Sequence, residues 1–450
     1  MPAKRGITCA SSGLYGGPVT LVDSHTVSRL IIRNARLPDG RLADLLAEDG
    51  RWTRIGELDA DGPELDCEGR LVTPPLVDCH LHLDASLTAG RPRWNESGTL
   101  LEGIEVWGEL KPSLTEDDVV ERAREIVRWS VAQGTLFIRA HADVSGENEA
   151  MVRGLLRLRD EVAELCTIQV TAFPQDGIYA REGDEERLEQ AIRLGVDCVG
   201  GIPHYEPTSE LGLREVHRVF ELAQRHSRRI DVHCDETDDP ASRFLEVMAD
   251  DTVKHGLGGR VTASHCTAMG SYEPYYSSKL HGFLRRAGIN VVVNPFANSL
   301  IQGRLDVYPK RRGFAQLKEL LAAGVNVSLG NDVIMDPWYS LGRADLVEAA
   351  SLALHFTYMS GREEIAEMLR CATERGARTL DVEDEYGLEQ GKPADCVVFD
   401  APSALEVLRL HPPRRYVVRR GRLVAETEPA RTVLYGEDGR AAPVTFTPAS

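Results

Sequence analysis

Basic side chains are in the minority: 52 Lys and Arg against 70 Asp and Glu leave a formal charge of −18 on 450 residues. That balance speaks against a nucleic-acid or membrane-surface partner, because phosphate binding draws on clustered cations. Long apolar runs are also missing, and none approaches the roughly 18 residues that a membrane span needs. The stretch before Leu30 carries Lys4 and Arg5, but Ser and Gly interrupt its apolar residues, which argues against a secretory signal. The nine Cys are odd in number and form no C-x-x-C pair, so they read as thiols of a reducing cytoplasm and not as a disulfide framework. No low-complexity tract or exact internal repeat is present. What remains is a chain long enough for one large core and a smaller one.

Short β-rich runs recur about every 30 residues with helical stretches between them. They are Leu71–His82, Thr135–Asp143, Thr167–Gln175, Cys198–Tyr205, Arg229–Glu236, Arg260–Cys266, Asn290–Pro295 and Asn326–Asp332. Thr115-Glu116-Asp117-Asp118 resembles a capping box before the amphipathic stretch to Gln133. Gly134, Gly195, Gly288 and Gly324 follow helical runs, where a residue tolerant of positive φ is wanted. The alternation predicts an α/β protein with a closed (β/α)₈ TIM-like barrel over 71–382. An open doubly wound sheet is the alternative, but no Gly-rich dinucleotide turn follows the first run. Residues 28–70 and 383–440 are β-rich and punctuated by Gly, Pro and Asp. Neither makes a domain alone, so together they are expected to form a small β-sandwich. Residues 1–27 are expected to be a flexible extension, and the last dozen similarly loose.

Seven of the eight runs finish on side chains with chemical potential: His80 and His82, His141 and Asp143, Gln175, His204, His233 and Glu236, His265, and Asp332. In a (β/α)₈ barrel these ends converge on the catalytic mouth. Period-two alternation puts His80 and His82 on one strand face. With His233 and Asp332 they make a donor set suited to one borderline divalent cation, Fe²⁺ or Zn²⁺. The competing reading is a group of hydrogen-bonded core histidines. Cys79, Cys234 and Cys266 adjoin three of these His, but alternation turns them towards the helical layer as small buried hydrophobes. His141, Asp143 and His204 are read as supports that orient the ligands. Binuclear hydrolases on this barrel bridge their ions with a carboxylated Lys on a middle strand. Between His82 and His233 only Lys111 occurs, and it precedes the first predicted helix, so a single ion per subunit is expected.

The runs VDCHLHLD (77–84), TAGRPRWNESGTLLEGIEVW (88–107), FPQDG (173–177), GGIPHYE (200–206) and DVHCDETDD (231–239) resemble the bacterial cytosine deaminases of the amidohydrolase superfamily. So do TASHCTAM (262–269), NPFANSLIQGRLDVYPKRRG (294–313) and DPWYSLG (336–342). The likeness is collinear from about Leu30 to Leu434. It implies a mononuclear Fe²⁺ or Zn²⁺ site at His80, His82, His233 and Asp332. It also implies Glu236 as acid/base, His265 as the group orienting hydroxide, and Gln175 as reader of the pyrimidine edge. Leu100 and Trp338 match positions lining the base pocket. A bound cation lowers water's pKa from roughly 15.7 to about 7, and Asp332 can take the released proton.

The implied reaction converts cytosine to uracil with release of ammonia. One departure stands out: Asn331-Asp332-Val333 replaces the His-Asp-Asp of the family pattern. An apolar Val333 beside the reacting carbon would favour a 5-substituted ring such as 5-methylcytosine. Alternative substrates are isoguanine, creatinine, a pterin or a triazine, and a further alternative is a barrel that has lost its catalysis. The expected partner is a small nucleobase, with no nucleic acid or membrane, in a cytoplasmic homo-oligomer.

Overall fold

A computed structural model describes residues 29–437 and 439–447; the expected extension at 1–27 lies outside the described residues. The chain opens with β1 (Arg29–Arg36), β2 (Leu42–Glu48) and β3 (Arg51–Gly56), an antiparallel meander, and β4 (Glu64–Asp66) pairs parallel to β1. β5 (Val72–Thr73) then crosses to a second sheet, completed much later in the chain.

The central sheet is parallel throughout. Its strands are β6 (Leu76–Leu81), β7 (Thr135–Asp143), β8 (Thr167–Phe173), β9 (Cys198–Val199), β10 (Arg229–Cys234), β11 (Val261–His265), β12 (Asn290–Val293) and β13 (Asn326–Leu329), paired in chain order. Buried Val, Ile, Leu and Ala dominate them, as expected of strands covered by helices on one side and by the barrel interior on the other. Helices fill the gaps, among them α1 (Leu100–Leu110) and α2 (Glu116–Ala132). The Thr115 hydroxyl caps α2 by accepting from the Asp118 N–H, and three carboxylates occupy its first turn. Gly134, Gly195, Gly288 and Gly324 take φ of 86°, 105°, 71° and 84°, as their place after helices requires.

The sheet closes at the mouth. His82 N donates to the Asp332 carbonyl at 2.7 Å, and Asp332 N donates to the His80 carbonyl at 2.7 Å. Gly330 makes this seam possible: a Cβ there would lie 2.6 Å from the His80 carbonyl oxygen. Residues carrying the candidate ligands therefore also join the first barrel strand to the last.

The chain returns through β14 (Cys396–Phe399), β15 (Arg414–Arg419) and β16 (Arg422–Glu426), which with β5 form the second sheet. Leu30, Ile32, Leu45 and Trp52 of the first sheet meet Val72, Cys396, Val398 and Val418 of the second in one apolar core. The termini thus build the expected sandwich. A buried ion pair between Arg414 and Asp345 fastens β15 to the barrel side. Among the described residues no helix is long and apolar enough to cross a membrane.

Several expectations need correction. The runs ending at Gln175, Tyr205, Glu236 and Asp332 stop early as strands, at Phe173, Val199, Cys234 and Leu329. Pro174 has no N–H to offer a ladder, Gly330 sits in the tight seam, and Asp235 takes φ +50°. Gln175, His204, Glu236 and Asp332 therefore ride on the loops that follow. The first helix is α1, not the one after Thr115, so Lys111 follows a helix instead of preceding all of them. The last residues are less loose than expected, because β17 (Thr432–Tyr435) pairs with β18 (Ala441–Val444).

Candidate metal and substrate site

Four side chains expected to hold a metal meet at the mouth. Nε2 of His233 lies 3.2 Å from Nε2 of His80 and 3.0 Å from Nε2 of His82. Asp332 Oδ1 lies 3.3 Å from Nε2 of His80 and 3.5 Å from Nε2 of His82. One donor atom from each of the four residues falls within 4.8 Å of the other three.

The hydrogen-bond pattern fixes one tautomer. Ser264 spends its only proton on Asp231 Oδ1 at 2.8 Å, so its oxygen accepts from His80 Nδ1 at 2.9 Å. His80 Nε2 then presents a bare lone pair to the cluster. Burial, followed by the neighbouring imidazoles, holds His80 and His82 well below the ordinary histidine range, and the same causes act on His233. Three neutral imidazoles and a carboxylate converging at this spacing are the donor chemistry of a mononuclear Fe²⁺ or Zn²⁺ site. One Nε2–H could pair two of these rings, but His80 Nε2 has no proton to give, and three Nε2 atoms and a carboxylate oxygen share one point. The donor set fits.

Asp231 is itself anchored by buried Arg139, whose Nη1 reaches its Oδ2 at 2.9 Å. His141 lies beside His80 with ring centroids 3.8 Å apart, and its Nε2 is 3.7 Å from Asp231. Phe173 stacks on His233 with centroids 3.9 Å apart and planes at 16°. These contacts bear on His80 and His233, two of the candidate donors. His204 sits on the turn after β9, and its two ring nitrogens, like those of His141, are buried and unpartnered.

Glu236 lies beside the cluster without joining the four donors. Its Oε1 is 3.0 Å from His265 Nδ1, and His265 Nδ1 is 4.0 Å from Asp332 Oδ2. Burial opposes a charged His265, but Glu236 and then Asp332 outweigh it and raise its pKa. Burial raises that of Asp332. Both His265 and Asp332 adopt positive φ, 71° and 65°, backbone that only firm surroundings sustain.

A small cavity of about 30 Å³ opens on these groups. Gln175, Glu236 and His265 supply polar edges; Leu100, Ile301, Val333 and Trp338 supply apolar walls. Among the described residues no Lys or Arg lines it. Trp338 approaches so closely because residue 103 is Gly, where a Cβ would fall 2.4 Å from the indole.

The residues expected to hold the metal, to handle the base or to line its pocket thus lie at one place, whereas Asp143, expected to orient a ligand, instead accepts from Trp107 Nε1 and Lys111 Nζ. Those missed are Ile301, Ser264, Asp231, Asn294 and Asn298. Asn298 Nδ2 lies 3.0 Å from His265 Nδ1 and 3.3 Å from Glu236 Oε1. Asn298 and Ile301 stand inside the run 294–313, yet nothing in their spacing marks them individually. Cys79, Cys234 and Cys266 are buried and unpaired, outside the donor set, and burial pushes the Cys79 thiol up to about 12.

The amidohydrolase family model matches residues 64–425. N-isopropylammelide isopropyl amidohydrolase of Pseudomonas sp. (strain ADP) is 27% identical over 409 residues, covering 89% of this chain and 98% of that protein. Pterin deaminase of Rhizobium rhizogenes is 27% identical over 394 residues, 86% of this chain and 89% of its own. The crystal structure of 5-methylcytosine deaminase from Klebsiella pneumoniae with 5-fluorocytosine is similar at 42% identity and a TM-score of 0.86, over 88% of this chain and 98% of that one.

Proposed function

This chain belongs to the amidohydrolase family, and we propose that it is a metal-dependent aminohydrolase converting cytosine, and preferentially a 5-substituted cytosine, to the corresponding uracil with release of ammonia. One observation carries the reading: a pocket walled by Leu100, Val333 and Trp338 faces four metal-type donors, a carboxylate and a carboxamide at once. The similarity at 42% identity to a 5-methylcytosine deaminase supports it.

His80, His82, His233 and Asp332 would hold one Fe²⁺ or Zn²⁺. That cation makes water a nucleophile at neutral pH. The residues do the rest. Gln175 donates to and accepts from the polar edge of the base, while Leu100, Ile301 and Trp338 close over its faces. Glu236 protonates the ring nitrogen as water's oxygen bonds to the amine-bearing carbon. Asp332 takes the proton that water gives up, with His265 beside it to orient the attacking oxygen. A proton passed on to the amine then lets the C–N bond break, ammonia departs, and the ring carbonyl forms. Val333 puts a methyl surface where the family pattern has a second carboxylate, which suits a ring bearing a 5-methyl group.

A second reading keeps the chemistry and changes the ring. The similarity to enzymes named for an ammelide and a pterin supports a triazine or a pterin as substrate, with isoguanine and creatinine as further small amine-bearing rings of the same chemistry. Exposed Leu305, Val307 and Tyr308 on one loop support assembly into a homo-oligomer. The buried, unpaired thiols support a cytoplasmic location.

Metal analysis of the purified protein, with ammonia release from cytosine, 5-methylcytosine, isoguanine, creatinine, a pterin and a triazine, tests the proposal. Fastest turnover is expected with 5-methylcytosine. Fastest turnover of a triazine or a pterin would transfer the enzyme to the second reading, and metal-free activity would overturn both.

A further inference from the structure

The Gln175 side chain lines the cavity, but its place is set by the turn it opens, in which Gly177 N donates to the Pro174 carbonyl at 2.9 Å. One flank of this turn rests on Glu206, whose Oε1 accepts from Ile178 N at 2.6 Å and Tyr179 N at 3.0 Å. The other flank rests on Asp176. Its N–H donates to Ser145 Oγ at 2.9 Å, and its Oδ2 accepts from Lys111 Nζ at 2.9 Å.

Lys111 is buried, and its ammonium has a second carboxylate to serve. Nζ also donates to Asp143 Oδ2 at 2.9 Å, an oxygen that accepts from Trp107 Nε1 at 2.7 Å as well. One cation therefore ties together the C-terminal end of α1, the end of β7 and the turn after β8. α1 is the opposite wall of the pocket, since it starts at Leu100 and seats Trp338 against Gly103. Burial works against the charged amine, yet Asp143 and Asp176 overcome it and raise its pKa. Arg181 also reaches Asp176, at 3.1 Å, but its side chain is 59% exposed and contributes little when screened by water.

We propose that Lys111 is a positioning residue for substrate recognition: its ammonium, shared by Asp143 and Asp176, holds the Gln175 turn at a fixed distance from the α1 wall. The inference rests on the proposed role of Gln175 in reading the base. Without the ammonium, two buried carboxylates face each other over the vacated contact, and the turn is the part free to yield. The four metal donors are untouched by such a shift.

Lys111→Met keeps the length of the stem and removes the charge; Asp176→Asn is the milder companion should the first fail to fold. Hydrogen–deuterium exchange is expected to speed up across 174–179 in either variant while the metal content stays at the wild-type level. With the base that wild type turns over fastest, KM is expected to rise about tenfold to a hundredfold, and kcat to change less. In a Gln175→Ala background the same substitutions are expected to add nothing to KM. Unchanged exchange at 174–179 overturns the inference, and so does a full KM effect that persists without Gln175. Should wild type release ammonia from no base, the proposed function fails, while exchange still decides whether Lys111 holds the turn.

Discussion

The sandwich and the barrel mouth are built from neighbouring stretches of one chain, yet they treat polar groups in opposite ways. In the sandwich, Leu30, Ile32, Leu45, Trp52, Val398 and Val418 interlock at or near zero exposure in an apolar core, with the indole nitrogen of Trp52 buried there without a partner. At the mouth, His80, His82, His233, His265, Glu236 and Asp332 are just as buried. Several atoms there lack protein partners, including His233 Nδ1, Trp338 Nε1 and Asn294 Oδ1. Desolvating imidazoles and carboxylates costs stability unless something pairs with them. The mouth is therefore shaped for a guest, whereas the sandwich only holds the ends of the chain together.

Substitutions test that contrast, in order of their expected effect on turnover. Asp332→Asn removes the one carboxylate among the four donors and is expected to bring activity to background with loss of bound metal, while unfolding stays cooperative. Chelator treatment of the unaltered protein is expected to do the same, with recovery on adding Fe²⁺ or Zn²⁺. A fully active, metal-retaining Asp332→Asn protein would break the assignment. Glu236→Gln leaves the donors intact, so metal content should hold while kcat falls by about 10²- to 10⁴-fold. Ser264→Ala frees the His80 tautomer. It is expected to weaken metal affinity by about 10- to 100-fold, read by competition with a chromogenic chelator.

Val333→Asp bears on selectivity alone. Losing the contact of one methyl group, worth about 0.8 kcal/mol, shifts the ratio of kcat/KM for 5-methylcytosine over cytosine by about fourfold towards cytosine. An unchanged ratio would remove Val333 from the account. At the far end, Trp52→Ala in the sandwich is expected to cost about 3–5 kcal/mol of stability, seen as a lower Tm. Its kcat, KM and metal content should match the unaltered protein; altered kinetics would mean that the two regions are coupled.

Much of the site is legible in the order of the residues. His80 and His82 share a face because strand side chains alternate, and a two-residue spacing states that directly. His233 and His265 can be placed because each closes a run of β-branched and small apolar residues. Residues whose roles depend on distant partners are not legible. Ser264 is one more small residue in VTASH until its oxygen is seen between Asp231 and His80. Asn298 and Ile301 enter the site because a short helix, Pro295–Ile301, turns back over the mouth. Lys111 reads as an isolated cation and is the hub of a buried network spanning α1, β7 and the β8 turn.

Local pattern is enough to dictate the eightfold alternation, the apolar faces and which side chains end each run. Those properties follow from periodicity, which depends on a few consecutive residues. It took the closed fold to bring the first strand to the last through Asp332, to gather four donors within 4.8 Å of one another, and to set one ammonium between two carboxylates. Closing a barrel joins residues some 250 positions apart, and only the summed twist and pairing of all the strands fixes which atoms then face each other.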